Sequence, residues 1–189
     1  MGFPSVLAMA HRFAAERIRP GDAAIDATAG GGNDTAFLAK AVGPKGIVYA
    51  FDIQPEALEA TRAKVASVAP DARVELLLAS HDRMGELLPS ALRGTAAAAM
   101  FNLGYLPGAD ASVVTKPDTT VAALEAALGF LRPGGVLTVA VYPGHDGGRE
   151  EADAVDAWMS ALPANAGQAA LYRMPQKPHA PYLYAVERK

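Results

Sequence analysis

Ten residues, Asp26-Ala27-Thr28-Ala29-Gly30-Gly31-Gly32-Asn33-Asp34-Thr35, constrain this chain more than any others. Before them, Asp22 to Asp26 reads as a short apolar strand introduced by Pro20-Gly21. After them, Ala36 to Val42 has helical spacing and stops at Gly43-Pro44. A strand, a glycine loop and a helix in that order make a cradle. Glycines let the backbone approach a ligand closely, and the first N–H groups of the helix lack partners of their own. Three consecutive glycines also make a plain tight turn. Asp52 tips the balance, because it follows a second apolar strand, Gly46 to Phe51. A carboxylate there is where doubly wound sheets hold ribose hydroxyls. It lies 22 residues beyond Gly30, close to the spacing of about 20 in a dinucleotide fingerprint.

Two cofactors compete for such a site. A nicotinamide dinucleotide asks for G-x-G-x-x-G, and Thr35 stands where the last glycine belongs. Its pyrophosphate would also sit poorly between Asp26 and Asp34. S-adenosylmethionine has no phosphate and carries a sulfonium and an ammonium, which carboxylates suit. Its own carboxylate can rest at the helix N-terminus. The charge argument favours adenosylmethionine, with Asp26, Thr28, Gly30, Gly32, Asn33, Asp34, Thr35, Asp52 and Gln54 as candidate cofactor residues.

The chain has 189 residues and no cysteine. That length suits one domain, residues 1–189, with a sizeable core. The missing thiol excludes disulfides, thiolate metal sites and cysteine-ligated clusters. It also excludes any thiol nucleophile. Methylation of a pyrimidine ring carbon through a cysteine adduct is therefore closed to it, and a nitrogen or oxygen target is expected. A net charge of −3 argues against a strongly basic nucleic-acid binder while leaving room for a local basic patch. No apolar run approaches the roughly 18 residues of a membrane span, and Met1-Gly2-Phe3-Pro4 lacks a basic leader, so a cytoplasmic chain is expected.

Pro4 to Ile18 reads as an amphipathic helix, with His11 and Arg12 taken as a surface pair. Gln54 to Val68 is a second helix with Pro55 in its first turn. Arg73 to Ala79 is a third strand, and Ser80-His81-Asp82 follows it. Adjacent residues cannot form a hydrolase relay. The trio either meets the adenine end of the cofactor, or Ser80 caps a helix running to Leu88. Thr95 to Phe101 is an alanine-rich, centrally buried strand. It runs into Asn102-Leu103-Gly104-Tyr105-Leu106-Pro107-Gly108, which is either a loop of turn-formers or an amine site. In the second case the Asn102 and Leu103 carbonyls accept N–H bonds and Tyr105 walls the site. Asp118 or Thr119 then caps a helix to Leu131. Gly134-Gly135 leads to a fifth strand, Val136 to Tyr142, and His145 follows it in a glycine-rich loop. Loop histidines are usually idle, but this one would be delivered to the site. A helix from Ala152 to Leu162 precedes two final strands, Gln168 to Met174 and Tyr182 to Glu187. The sum is a seven-stranded, mostly parallel α/β sheet with a C-terminal hairpin.

These segments together resemble the class I adenosylmethionine-dependent methyltransferases, a Rossmann-like fold with helices on both faces of the sheet. More narrowly, Asp26-Ala27-Thr28 with Gly30, Gly32, Asp34 and Thr35, Phe51-Asp52-Ile53-Gln54, Phe101 to Gly108, Thr119-Thr120, and Tyr142 with Gly144-His145 look like the YtqB/MnmM family. The likeness spans nearly the whole chain. Gly31, Pro143 and Pro175 depart from it, standing where the pattern has Asn, His and Asn. The resemblance implies methylation of the aminomethyl group of 5-aminomethyl-2-thiouridine at the tRNA wobble position, with the anticodon stem-loop as partner and no metal.

On that footing Asn102 and the Leu103 carbonyl orient the amine, Tyr105 walls it, and His145 or water takes the proton. Ser80, His81 and Asn102 join the cofactor residues. Arg83, Lys116, Arg149, Arg173 and Lys177 are candidate RNA contacts, each of which could equally be an ordinary solvated charge. A homodimer is compatible with the sequence. The rival readings are an rRNA or small-molecule N- or O-methyltransferase on the same fold, and a dinucleotide-binding regulator without catalysis.

Overall fold

The computed structural model describes residues 2–104, 115–144, 147–177 and 179–189. In chain order the elements are α1 (Val6–Ala15), β1 (Ala23–Asp26), α2 (Asn33–Val42), β2 (Ile47–Asp52), α3 (Pro55–Val68) and β3 (Val74–Leu78). After them come a 3₁₀ turn (His81–Arg83), α4 (Met84–Leu87), a second 3₁₀ turn (Ser90–Leu92), β4 (Ala96–Asn102), α5 (Pro117–Phe130), β5 (Leu131–Val141), α6 (Gly148–Ala161), β6 (Gly167–Tyr172) and β7 (Tyr182–Arg188). No helix among the described residues is long and apolar enough to cross a membrane.

The strands form one sheet in the order β3-β2-β1-β4-β5-β7-β6. The first five are parallel, and β7 runs antiparallel between β5 and β6. Chain order reverses between β1 and β4, so the crevice outside their carboxyl ends is where this topology binds ligands. Successive residues of a strand face opposite sides, and the core divides accordingly. Ile25, Phe101, Leu137 and Val139 join one buried cluster with α5 and α6, while Ala24, Met100 and Ala140 join the other with α1 and α2. Ala96 to Ala99 are all fully buried, which explains the alanines of β4: small side chains let helices close on both faces.

Three expectations about element ends are corrected. The N-cap of α5 is Lys116, with Pro117 at the first helical position, so neither Asp118 nor Thr119 caps it. Ser80 makes no side-chain cap bond. β5 begins at Leu131, ahead of Gly134-Gly135, and its pairing with β4 is irregular between Ala96 and Ala98.

Candidate active site

The glycine loop is held from behind by residues that never reach the ligand space. Asp26 is 0% exposed; its Oδ1 accepts from the Thr28 N–H at 3.1 Å and its Oδ2 from the Thr35 hydroxyl at 2.5 Å. Gly32 caps α2 at φ 77°, where a Cβ would lie 2.7 Å from the Thr61 Cα. Only glycine fits there, for sterics and for backbone conformation alike. Asp52 is tied into the loop as well. Its Oδ2 accepts from the Gly30 N–H at 2.8 Å and its Oδ1 from the Gln54 N–H at 2.9 Å. The end of β2 thereby sets the shape of the loop after β1.

In front of this frame lies a cavity of about 670 Å³. Of the sequence-predicted residues, Thr28, Gly30, Asn33, Asp34, Asp52, Gln54, Ser80, His81, Asn102 and Leu103 line it. Asp26, Gly32 and Thr35 sit behind the wall rather than in it. Tyr105 and His145 lie outside the described residues. The Asn102 N–H donates to the Thr28 hydroxyl at 2.7 Å, which ties the end of β4 to the loop after β1. The Leu103 N–H donates to the Ala140 carbonyl at 3.0 Å.

Charge is concentrated at the loop. Burial, then the nearby charge of Asp34, pushes the Asp26 carboxyl up to about 7, against the pull of its bonds to Thr35 and Thr28. Burial, and then Asp34 again, raises the Tyr142 phenol beside the cavity. His81 moves the other way, because burial disfavours its cation. Its Nδ1 donates to the Ala27 carbonyl at 3.3 Å, which leaves Nε2 as the acceptor of a neutral ring. That Nε2 is buried and has no partner among the described residues.

Sequence reasoning missed two histidines. His11 is no idle surface residue: its Nε2 lies 2.6 Å from the Asp34 Oδ1, and its ring stacks on Phe37 at 4.0 Å. The partner is 23 residues away, beyond any helical spacing. His179 reaches the cavity from the β6–β7 loop, where only a hairpin turn was expected. Leu7 of α1 and Tyr142 also line it, so the N-terminal helix forms part of the wall.

The family model described as "Putative rRNA methylase" matches residues 48–187. The chain belongs to this family. The Arabidopsis thaliana "tRNA (mnm(5)s(2)U34)-methyltransferase, chloroplastic" is 42% identical over 183 residues, covering 93% of this chain and 66% of that protein. The chain thus spans just under two thirds of that relative's length. A crystal structure of a "putative rRNA-methylase" from Clostridium thermocellum is 34% identical, with TM-score 0.93 and full coverage of both chains. A "putative methyltransferase" from Streptococcus mutans, solved in complex with SAH, is also 34% identical, with TM-score 0.86 and full coverage of both.

The fold is the class I methyltransferase fold, and the cofactor is S-adenosyl-L-methionine. The cavity suits that molecule: Asp34 and Asp52 face it, as a cationic ligand without phosphate requires. The orphaned His81 acceptor fits a ligand bearing a donor such as an amino group. The candidate RNA contacts divide. Arg83 is bonded to Glu86 at 2.9 Å and Arg149 to Asp153 at 3.3 Å, both as helical-spacing pairs, and Arg173 lies over the Tyr182 ring at 5.4 Å. Lys116 lines the cavity, and Lys177 is exposed.

Proposed function

We propose that this protein methylates the aminomethyl nitrogen of 5-aminomethyl-(2-thio)uridine at the wobble position of tRNA, giving 5-methylaminomethyl-(2-thio)uridine. The observation that carries this reading is the end of β4. Asn102 and Leu103 are backbone-anchored beside the acid-lined cavity, and both residues border it. The name of the Arabidopsis relative supports the same substrate, and the lack of cysteine removes the thiol route to a ring carbon. The RNA surface in this proposal is the anticodon stem-loop, and the place of action is the cytoplasm.

Asp52 would hold the ribose of the cofactor, with Gln54 beside it. Asp34 would balance its ammonium, Ser80 and His81 would meet the adenine, and Thr28, Gly30 and Asn33 would shape the loop. Asp26, Gly32 and Thr35 act from behind by fixing that loop. The cofactor supplies, when bound, a methyl group on a cationic sulfur, which leaves as a neutral thioether. A free alkyl amine has a pKa of about 10.4, and its cation has no lone pair to attack. The Asn102 and Leu103 carbonyls accept N–H bonds from the neutral amine and aim its lone pair, so the protein's main contribution is positioning. Once the N–C bond has formed, the secondary ammonium loses one proton to His145 or to water.

The test supplies labelled adenosylmethionine to two tRNAs that differ only at the wobble base, one with 5-aminomethyl-uridine and one with uridine. Label is expected on the aminomethyl nitrogen of the first and nowhere on the second. The rate should climb with pH until the bound amine is largely neutral and then level off. Label on a ribose oxygen, on a ring atom or on the plain tRNA would overturn the proposal.

A further inference from the structure

Glu151 stands in the first turn of α6 and is only 2% exposed. A helix-packing position that dry is ordinarily apolar, because a carboxylate taken out of water is unfavourable unless each oxygen is satisfied. Both of its oxygens are satisfied by hydroxyls. Oε1 accepts from Thr120 at 2.6 Å, and Oε2 accepts from Thr115 at 2.7 Å. Thr115 has then used its one hydroxyl proton, and its oxygen accepts from the Gly104 N–H at 2.8 Å. The Thr115 N–H returns a bond to the Gly104 carbonyl at 3.0 Å. A directed chain therefore runs from the Gly104 amide through Thr115 to a buried charge, and a hydrogen bond ending on a charge is among the stronger ones.

Gly104 immediately follows Asn102 and Leu103. The three consecutive amides are anchored on three different parts of the molecule: the loop after β1, strand β5, and the Thr115–Glu151 pair. The first two anchors belong to the sheet and its cofactor loop. The third has no place in a ladder and depends on one acid in α6. Gly104 also has φ 114°, a conformation open to glycine and rarely adopted by other residues.

We propose that Glu151 is a positioning residue for methyl transfer, acting through Thr115 and Gly104 to fix the direction in which the Asn102–Leu103 backbone meets the acceptor. It touches neither cofactor nor acceptor. The idea rests on the reading above only in that the acceptor arrives at the end of β4. If α5 and α6 merely needed a polar seam, the Thr120 bond would serve that alone. The Thr115 bond reaches past the helices to the site.

The experiment uses the full chain and the variants E151Q, T115V, T115S and the double variant E151Q/T115V. In the protein without cofactor, exchange of the Gly104 amide measured by NMR should quicken about tenfold in E151Q and T115V and stay near wild type in T115S. Turnover on aminomethyl tRNA should fall by up to about 10²-fold, the scale of a small misplacement of reacting groups. Adenosylmethionine affinity by calorimetry should remain within about twofold in E151Q, whose side chain does not line the cavity, whereas Thr115 does. The double variant should be no slower than the slower single one, because both changes cut the same chain. Unchanged Gly104 exchange in T115V would overturn the proposal. So would losses in E151Q shared equally between turnover and cofactor affinity, T115S behaving as badly as T115V, or additive losses. If E151Q does not fold, T115V and T115S carry the same test. If wild-type protein leaves the aminomethyl tRNA unlabelled, the substrate reading fails, and the Gly104 exchange still decides the anchor.

Discussion

Asp52 holds two backbone amides as well as facing the cavity, so its substitution removes more than a ligand contact. Asp52→Ala should weaken adenosylmethionine by about 1.5–3 kcal/mol, the cost of losing hydrogen bonds to a charged acceptor. Calorimetry would check this, and an unchanged dissociation constant would remove the ribose assignment. Asp26 makes a different prediction. Its carboxyl is pushed from 3.8 up to about 7, chiefly by burial. Between those values the folded protein keeps a proton that the unfolded chain has released. Stability from this group is therefore greatest at low pH and declines as pH rises toward 7, by at most about 1.4 kcal/mol per pH unit. Asp26→Asn has no such proton to lose. Its stability relative to wild type should improve between pH 5 and pH 8, read from urea titrations at both. A relative loss at pH 8 would mean that the charge itself stabilises the loop. Asp26, Asp34 and Asp52 were all legible from the sequence as an acidic bracket around the glycines. What was not legible is that Asp26 faces inward, since burial depends on α2 folding back over β1.

Periodicity fixes the existence of elements better than their ends or their company. Every strand and long helix expected from the pattern is present, because apolar spacing reports directly which face is buried. α2 starts at Asn33 rather than Ala36, since Gly32 in a left-handed conformation ends the loop early. The α5 cap was misplaced because Asp118 and Thr119 are good cap types, whereas Pro117 at the first helical position decides the matter. Contacts between distant elements left no local trace at all. α1 is the main case: His11 joins it to Asp34 of α2 and to the Phe37 ring. Losing one bond to a buried carboxylate and one stacked ring should cost about 1–2 kcal/mol. For a chain of this length His11→Ala should then lower Tm by roughly 2–8 °C. A scanning fluorimetry trace identical to wild type would return His11 to the surface pair that the helix pattern suggested.

For the molecule as a whole, the proposed function requires a chain of net charge −3 to meet RNA. Overall charge is a poor guide, because phosphate contacts act locally and long-range repulsion is screened beyond about 8 Å at physiological salt. The arrangement of cations matters more. Arg83 and Arg149 already face carboxylates on their own helices or turns, which leaves them less to gain from a phosphate. Lys116 is at the cavity, and Lys177 is in the same β6–β7 loop that brings His179 to it. If the proposed function holds, the anticodon should approach between the start of α5 and that loop. tRNA binding should weaken steeply with salt, because counterions are released on association, while adenosylmethionine binding should change much less. Lys116→Ala and Lys177→Ala should each flatten the logarithmic salt dependence by about one unit, and Arg83→Ala and Arg149→Ala by less. Filter binding across a salt series would show it. tRNA affinity that is flat between low and physiological salt would point to a small-molecule acceptor. Equal effects from all four variants would mean that the RNA lies across the outer helices rather than over the mouth.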